Sequence, residues 1–228
     1  MDLNIDAAND DATLELMRRS FFSALISDVL DDLGYRNQAL QARIRPLDES
    51  LVMVGRARTM LYADIYAAAT EGENPHELEI ALVDSVVRDD VVVCACGASG
   101  RIAPWGSLMS TAASVRGAAG ALMDGMVRDI REIRELKFPV FHGGIGPLDS
   151  KGRAKVIAID VQVQCGGVAI SPGDLIIGDA DGCVVIPKAI EAGVIAAAME
   201  KLKGEHKTKA ALLAGRRLAD VYNEFGVL

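Results

Sequence analysis

The chain has 228 residues, half apolar and a quarter charged, which suits one globular domain with a real core rather than a disordered tail. Its net charge of −8 repels phosphate backbones and its 4% aromatic content leaves little for base stacking, so nucleic-acid binding is excluded. No apolar stretch reaches the roughly 18 residues of a spanning helix, and residues 1–11 are acidic where a signal peptide is basic and apolar, so a cytoplasmic protein with no membrane contact is expected.

In chain order, residues 12–34 read as one helix, because Leu14, Met17, Phe21, Leu25, Val29 and Leu33 recur at helical spacing and Gly34 supplies a stop. Residues 52–60 read as a strand, 77–88 as an amphipathic helix and 91–96 as a buried strand. A helix over 107–115, a short strand over 121–123, a helix over 130–136 and a strand opening at Val140 follow. Residues 155–164 alternate like a strand, and Pro172-Gly173 and Asp181-Gly182 are turns framing strands at 175–177 and 183–186. Residues 189–225 are helical again, with a charged middle at 201–207 that suits a solvated face or a contact with another subunit. Strands alternating with short helices argue for α/β layering with parallel pairing. With no low-complexity linker, one domain is expected over 1–228, its core about 20–190 and its helical tail about 189–225.

Cys94, Cys96, Cys165 and Cys183 lie in apolar runs without zinc-ribbon or redox spacing, and read as buried reduced thiols. Trp105-Gly106-Ser107-Leu108-Met109 enters a helix through a glycine. The unpaired first amides of a helix can hold a carboxylate or phosphate; an ordinary turn with Ser107 as the cap is the plainer possibility. Val127-Arg128-Asp129 sits where a strand hands over to a helix. An Arg fork suits a carboxylate or ketone oxygen, and an adjacent carboxylate suits a hard cation. Asp129 followed by Glu132 also has capping-box spacing, and Val87-Arg88-Asp89 repeats the triplet with no glycine entry upstream. The segment 179–182 reads as a hairpin turn rather than a calcium loop, and 142–146 has neither phosphate-loop nor dinucleotide spacing. His76, His142 and His206 are scattered, and Lys155, in a strand, reads as solvated rather than as a Schiff-base lysine.

As an ordered set, Gly106-Ser-Leu-Met109, Arg116-Gly117, Asp124-Gly125-Met-Val-Arg128-Asp129, Phe138-Pro-Val-Phe141, Gly166-Gly167, Pro172-Gly-Asp174 and Asp181-Gly182 resemble a known family. It contains the regulator of ribonuclease activity A and the class II aldolases of 4-hydroxy-4-methyl-2-oxoglutarate and 4-carboxy-4-hydroxy-2-oxoadipate. Residues 26–30 and 55–57 extend the likeness, which spans roughly 20–205. The resemblance implies a three-layer β/β/α swivelling sandwich assembled as trimers or hexamers. It also implies that the amides of Gly106, Ser107, Leu108 and Met109 bind the carboxylate of a small anionic 2-oxo acid, that Arg128 holds its keto oxygen, and that Asp129 binds Mg²⁺ or Mn²⁺. The implied reaction is metal-assisted carbon–carbon cleavage releasing pyruvate, with oxaloacetate decarboxylation available through the same enolate. Asp124 is the nearby candidate for proton transfer; Glu200 or Glu205 could instead arrive from a neighbouring subunit. Two alternatives stay open, a non-enzymatic regulator of a ribonuclease and a sugar-acid lyase or isomerase using the same clamp. The chain departs from the family in carrying Ser107 where aldolases often have an acidic residue, and in the segment 64–79. It has no glycine-rich loop to support a methyltransferase.

Overall fold

The run of apolar residues from Val91 becomes the centre of a twisted mixed sheet, because both of its faces are covered. Residues 10–66, 72–97 and 99–226 are described by a computed structural model; the acidic start up to Asn9 and part of the 64–79 segment lie outside them. The chain opens with α1 (Asp10–Ser20) and α2 (Ser23–Asp32), then β1 (Arg45–Pro46), β2 (Met53–Asp64), α3 (Glu77–Ser85) and β3 (Asp90–Ala95). It continues through α4 (Ser107–Val115), β4 (Gly120–Met123), β5 (Met126–Val127), α5 (Ile130–Leu136), β6 (Val140–His142) and β7 (Gly144–Ile145). The last part holds β8 (Ala154–Ile159), β9 (Val163–Cys165), β10 (Val168–Ile170), β11 (Leu175–Asp179), β12 (Gly182–Ile186), α6 (Glu191–Leu213) and α7 (Leu218–Phe225).

The main sheet has the order β1-β6-β4-β3-β2-β11-β12, with β8 added along β2. The pairs β2–β3, β3–β4 and β4–β6 are parallel, each joined by a connection that carries a helix, and the remaining pairs are antiparallel. Residues 38–40 bond to β12 through Leu40 N–H on the Cys183 carbonyl and Val185 N–H on the Gln38 carbonyl, both 2.9 Å, so the sheet curls until its edges nearly meet. Alternation then sorts the side chains. Val92 and Cys94 face α3, α4 and α5, together with Met123 and Val140. Val91, Val93 and Ala95 point the other way, under the β9–β10 hairpin. Against the far end of the sheet, α1, α2 and α6 pack on Leu175, Ile177, Val184 and Ile186. Hairpin, sheet and helices make the expected three-layer β/β/α sandwich with a helical tail. All four cysteines are buried and unpaired, and burial pushes their thiols up.

Where the elements differ from their periodicity, a long-range contact or a local turn is the cause. The expected helix over 12–34 breaks at Phe22, which is extended, because Asp179 of the β11–β12 hairpin accepts the Ser23 amide and hydroxyl, both at 2.7 Å. The expected strand over 155–164 divides at Asp160, which adopts positive φ and spreads its carboxylate over the Arg58 guanidinium at 2.8 and 2.9 Å. The helical tail divides at Gly215, whose φ of +83° ends α6 with the left-handed turn that glycine takes freely. The helix from Glu77 stops at Ser85, where Asp90 captures the Val87 amide. Among the described residues, no helix is long and apolar enough to cross a membrane.

Candidate active site

Three segments meet at the C-terminal end of β4. Trp105 pairs with Val127 in a parallel bridge, the Arg128 amide donates to the Trp105 carbonyl at 3.0 Å, and β5 pairs with β7 on its other side. Trp105 is fully buried, its indole N–H donates to the Ser110 hydroxyl at 2.8 Å, and its ring stacks on Phe138. That anchor fixes the first turn of α4, so Gly106 lies directly against Arg128 and Asp129.

A Cβ on Gly106 would sit 2.4 Å from Asp129 Oδ2 and 3.2 Å from Arg128 Cγ, so only glycine admits this approach. The carboxylate of Asp129 accepts the Ser107 amide at 3.1 Å and its hydroxyl at 3.4 Å. Asp129 therefore caps α4, from across the chain. The capping box suggested by Asp129 and Glu132 does not form. Asp129 takes the left-handed conformation at φ 58° and makes no side-chain cap bond to α5. The amides of Leu108 and Met109 have no partner among the described residues and, with the positive end of the helix dipole, remain open to an anion. The Ser107 amide, expected to join them, is taken by Asp129.

Arg128 stands between two clefts. One, of about 340 Å³, runs along α4 to α3 and is lined by His76, Glu79, Met109, Arg128 and Asp149. The other, of about 380 Å³, lies between Asp129 and Pro147. Arg128 Nη1 is 3.6 Å from Asp149 Oδ1, and its Nε is 3.9 Å from Asp129 Oδ2, so two carboxylates hold the fork at the mouth of the clefts. Burial works against ionised Asp149, but the Lys151 amide and the Arg128 charge outweigh it and hold the carboxyl below the usual carboxylate range. Among the described residues no lysine lines either cleft; Lys155 faces elsewhere and pairs with Glu73.

A hard cation fits this donor set only as a water-rich ion. Among the described residues no group of three or more His, Cys, Asp or Glu could enclose a metal. Asp129, with its side chain 43% exposed and Oδ1 bonded to no described residue, could offer one anionic oxygen. Mg²⁺ and Mn²⁺ accept such sites because they keep several waters.

The other expected residues separate. Asp124 is 5% exposed, accepts the Cys96 amide at 2.7 Å and the Gly166 amide at 3.3 Å, and lines neither cleft. It ties the end of β3 to the β9–β10 turn. Glu200 pairs with Lys203 on α6. The repeated triplet has the same left-handed Asp, but Asp89 is 8% exposed and paired with Arg18, so it serves the core. Asp149 and Glu79 carry no signal in the sequence, and His76 reads there only as one of three scattered histidines. His76 and Glu79 stand one helical turn apart, but Asp149 comes from a distant loop that no spacing links to them.

The family model for RraA-like proteins, described as Aldolase/RraA, matches residues 23–185. A Halalkalibacterium halodurans protein provisionally named 4-hydroxy-4-methyl-2-oxoglutarate aldolase is 39% identical over 183 residues, 80% of each chain. The Thermus thermophilus protein named 4-hydroxy-4-methyl-2-oxoglutarate aldolase is 27% identical over 160 residues, 70% of this chain and 90% of that one. The crystal structure of Streptomyces coelicolor RraAS2, described as an unusual member of the RNase ES inhibitor RraA protein family, superposes with a TM-score of 0.77 at 27% identity, covering 88% of this chain and 97% of that one.

Proposed function

The chain belongs to the RraA-like family, and from that premise we propose that it is a divalent-metal-dependent lyase cleaving a carbon–carbon bond of a 4-hydroxy-2-oxo acid to release pyruvate. Oxaloacetate decarboxylation is the second reaction proposed for the same site. The observation that carries this is the placement of Asp129. Its carboxylate turns away from its own helix to the start of α4, beside the Arg128 fork and open amides.

The parts divide the work. The amides of Leu108 and Met109, at the positive end of α4, take the substrate carboxylate. Arg128 donates to the keto oxygen, where negative charge grows as the bond breaks, an interaction often worth several kcal/mol in such sites. Asp149 keeps the guanidinium oriented from behind. Asp129 would hold Mg²⁺ or Mn²⁺ through one oxygen, and the ion, when bound, supplies Lewis-acid polarisation of the keto group. Ser107 in place of an acidic residue leaves Asp129 alone at the helix entry, which weakens the hold on the metal relative to a two-carboxylate site.

The likeness to RraAS2 supports a second reading, a regulator that binds a ribonuclease. We also propose a trimer or a dimer of trimers, since Leu108, Val115, Leu213 and Leu218 leave large apolar side chains uncovered. A pyruvate-release assay over a panel of 2-oxo acids, with Mg²⁺ and with EDTA, decides between enzyme and regulator. Turnover that depends on metal supports the lyase; no turnover on any member, with tight binding to a ribonuclease, overturns it.

A further inference from the structure

The cleft that begins at Arg128 ends at a second polar group. His76 precedes α3, and its ring Nδ1 lies 2.5 Å from Oε2 of Glu79, one turn further on. Glu79 is 4% exposed, and its other oxygen accepts the Ser150 hydroxyl at 3.4 Å. The His76 side chain is 31% exposed, lines the cleft, and its Nε2 is bonded to no described residue. Ser150 follows Asp149, so one loop holds Arg128 with one residue and Glu79 with the next. The charged groups around the imidazole are Glu79 on its own segment, Asp149 on the facing loop, and Asp84 and Arg128 along the same cleft.

A buried carboxylate on Nδ1 fixes the tautomer, leaves Nε2 as the acceptor and stabilises the imidazolium that forms on taking a proton. A buried carboxylate is costly unless paired, and the partners of Glu79 are the His76 ring and the Ser150 hydroxyl, so carboxylate and ring fix one another at the wall of the cleft. We infer that His76, held by Glu79, is the base that takes the hydroxyl proton at the far end of the substrate. This rests on the lyase reading. The C4 hydroxyl proton moves to His76 Nε2, the O–H pair becomes the new C4 carbonyl, and the C3–C4 bond breaks. Its electrons form the pyruvate enolate beside Arg128. The enolate takes a proton from water, and His76 returns its own to solvent. His76 is then a catalytic residue and Glu79 a positioning residue.

Two reactions of the full-length protein with Mg²⁺ separate this from the reading beneath it. Cleavage of 4-hydroxy-4-methyl-2-oxoglutarate needs the hydroxyl proton removed; exchange of the pyruvate methyl hydrogens in D₂O needs only the enolate end. His76→Asn keeps the bond to Glu79 and removes Nε2. We expect it to lower cleavage by about 10²–10³-fold and leave exchange within about twofold. Retained exchange also shows that the variant is folded. Glu79→Gln should lower cleavage roughly tenfold, in kcat rather than in KM, because the ring loses the carboxylate that orients it. Wild-type cleavage by His76→Asn overturns the inference, as does an equal loss of both reactions in a variant whose melting matches the wild type. A His76→Asn variant that fails to fold is replaced by His76→Gln, judged by the same two rates. A wild-type protein that performs neither reaction overturns the lyase reading, and the inference falls with it.

Discussion

Replacing Asp129 by Asn separates the work of a cap from that of a metal ligand. Asn keeps an acceptor for the Ser107 amide, now 3.1 Å from Oδ2, and tolerates the left-handed φ of 58°. What goes is the charge. At the N-terminus of α4 that charge is worth about 0.3–1 kcal/mol with the dipole, and a charge-assisted hydrogen bond falling to a neutral one costs about 0.5 kcal/mol more. The side chain is 43% exposed, so solvent screening favours the lower ends. The fold should therefore lose about 1 kcal/mol, a melting shift of about 2–4 °C for a chain of this size. Losing the only anionic oxygen proposed for the metal removes several kcal/mol of transition-state stabilisation, and about 3 kcal/mol already means a 10²-fold fall in turnover. The assay is pyruvate release at saturating Mg²⁺ beside a thermal melt, with Arg88→Lys as a control because that side chain is 75% exposed. Turnover within about threefold of wild type, at any melting temperature, would refute the argument and leave Asp129 a cap.

Four further outcomes follow from the same geometry. EDTA should abolish pyruvate release, with Mg²⁺ or Mn²⁺ restoring it; full activity in excess chelator, or a borohydride-trapped lysine adduct, would count against a metal site. Arg128→Lys should lower kcat/KM at least tenfold although charge is kept, because an ammonium cannot span Asp149 at 3.6 Å and the substrate as a planar fork does; unchanged kinetics would remove Arg128 from the site. Gly106→Ala must displace Asp129, whose Oδ2 would lie 2.4 Å from the new Cβ. It should cost about 1–3 kcal/mol in chemical denaturation and most of the turnover; wild-type values in both would show the approach to be unnecessary. Asp149 has a carboxyl below its usual range, so its contribution to stability is present above the unfolded value of 3.8 and is lost as pH falls through the lower folded value. Denaturation midpoints of Asp149→Asn and wild type should differ at pH 7 and converge below about pH 4; a gap that widens on acidification would reverse the sign.

Much of this molecule is legible along the chain. The continuous apolar run at Val91 to Ala95 and the four residues of Ser107 to Ser110 opening behind Gly106 depend on near neighbours, and they form where the pattern puts them. The same holds for the Asp179–Gly182 hairpin turn, where local φ requirements decide. The breaks at Phe22 and Asp160 are not legible, because each depends on a partner more than a hundred residues away, Asp179 for one and Arg58 for the other. Arg128-Asp129 shows why the site divides the same way. By spacing alone Asp129 belongs to α5 as a cap, and only the glycine entry upstream and Glu132 set Arg128-Asp129 apart from Arg88-Asp89. Only the Trp105–Val127 bridge brings Gly106 close enough for Asp129 to turn to α4, while Asp89 is drawn into the core by Arg18. The meeting of His76 and Glu79 with the Asp149 loop is silent in sequence because helix and loop come together only after the sheet has set their separation. Local sterics and periodicity determined the elements and the glycine entry; long-range pairing across the sheet decided which charges face one another.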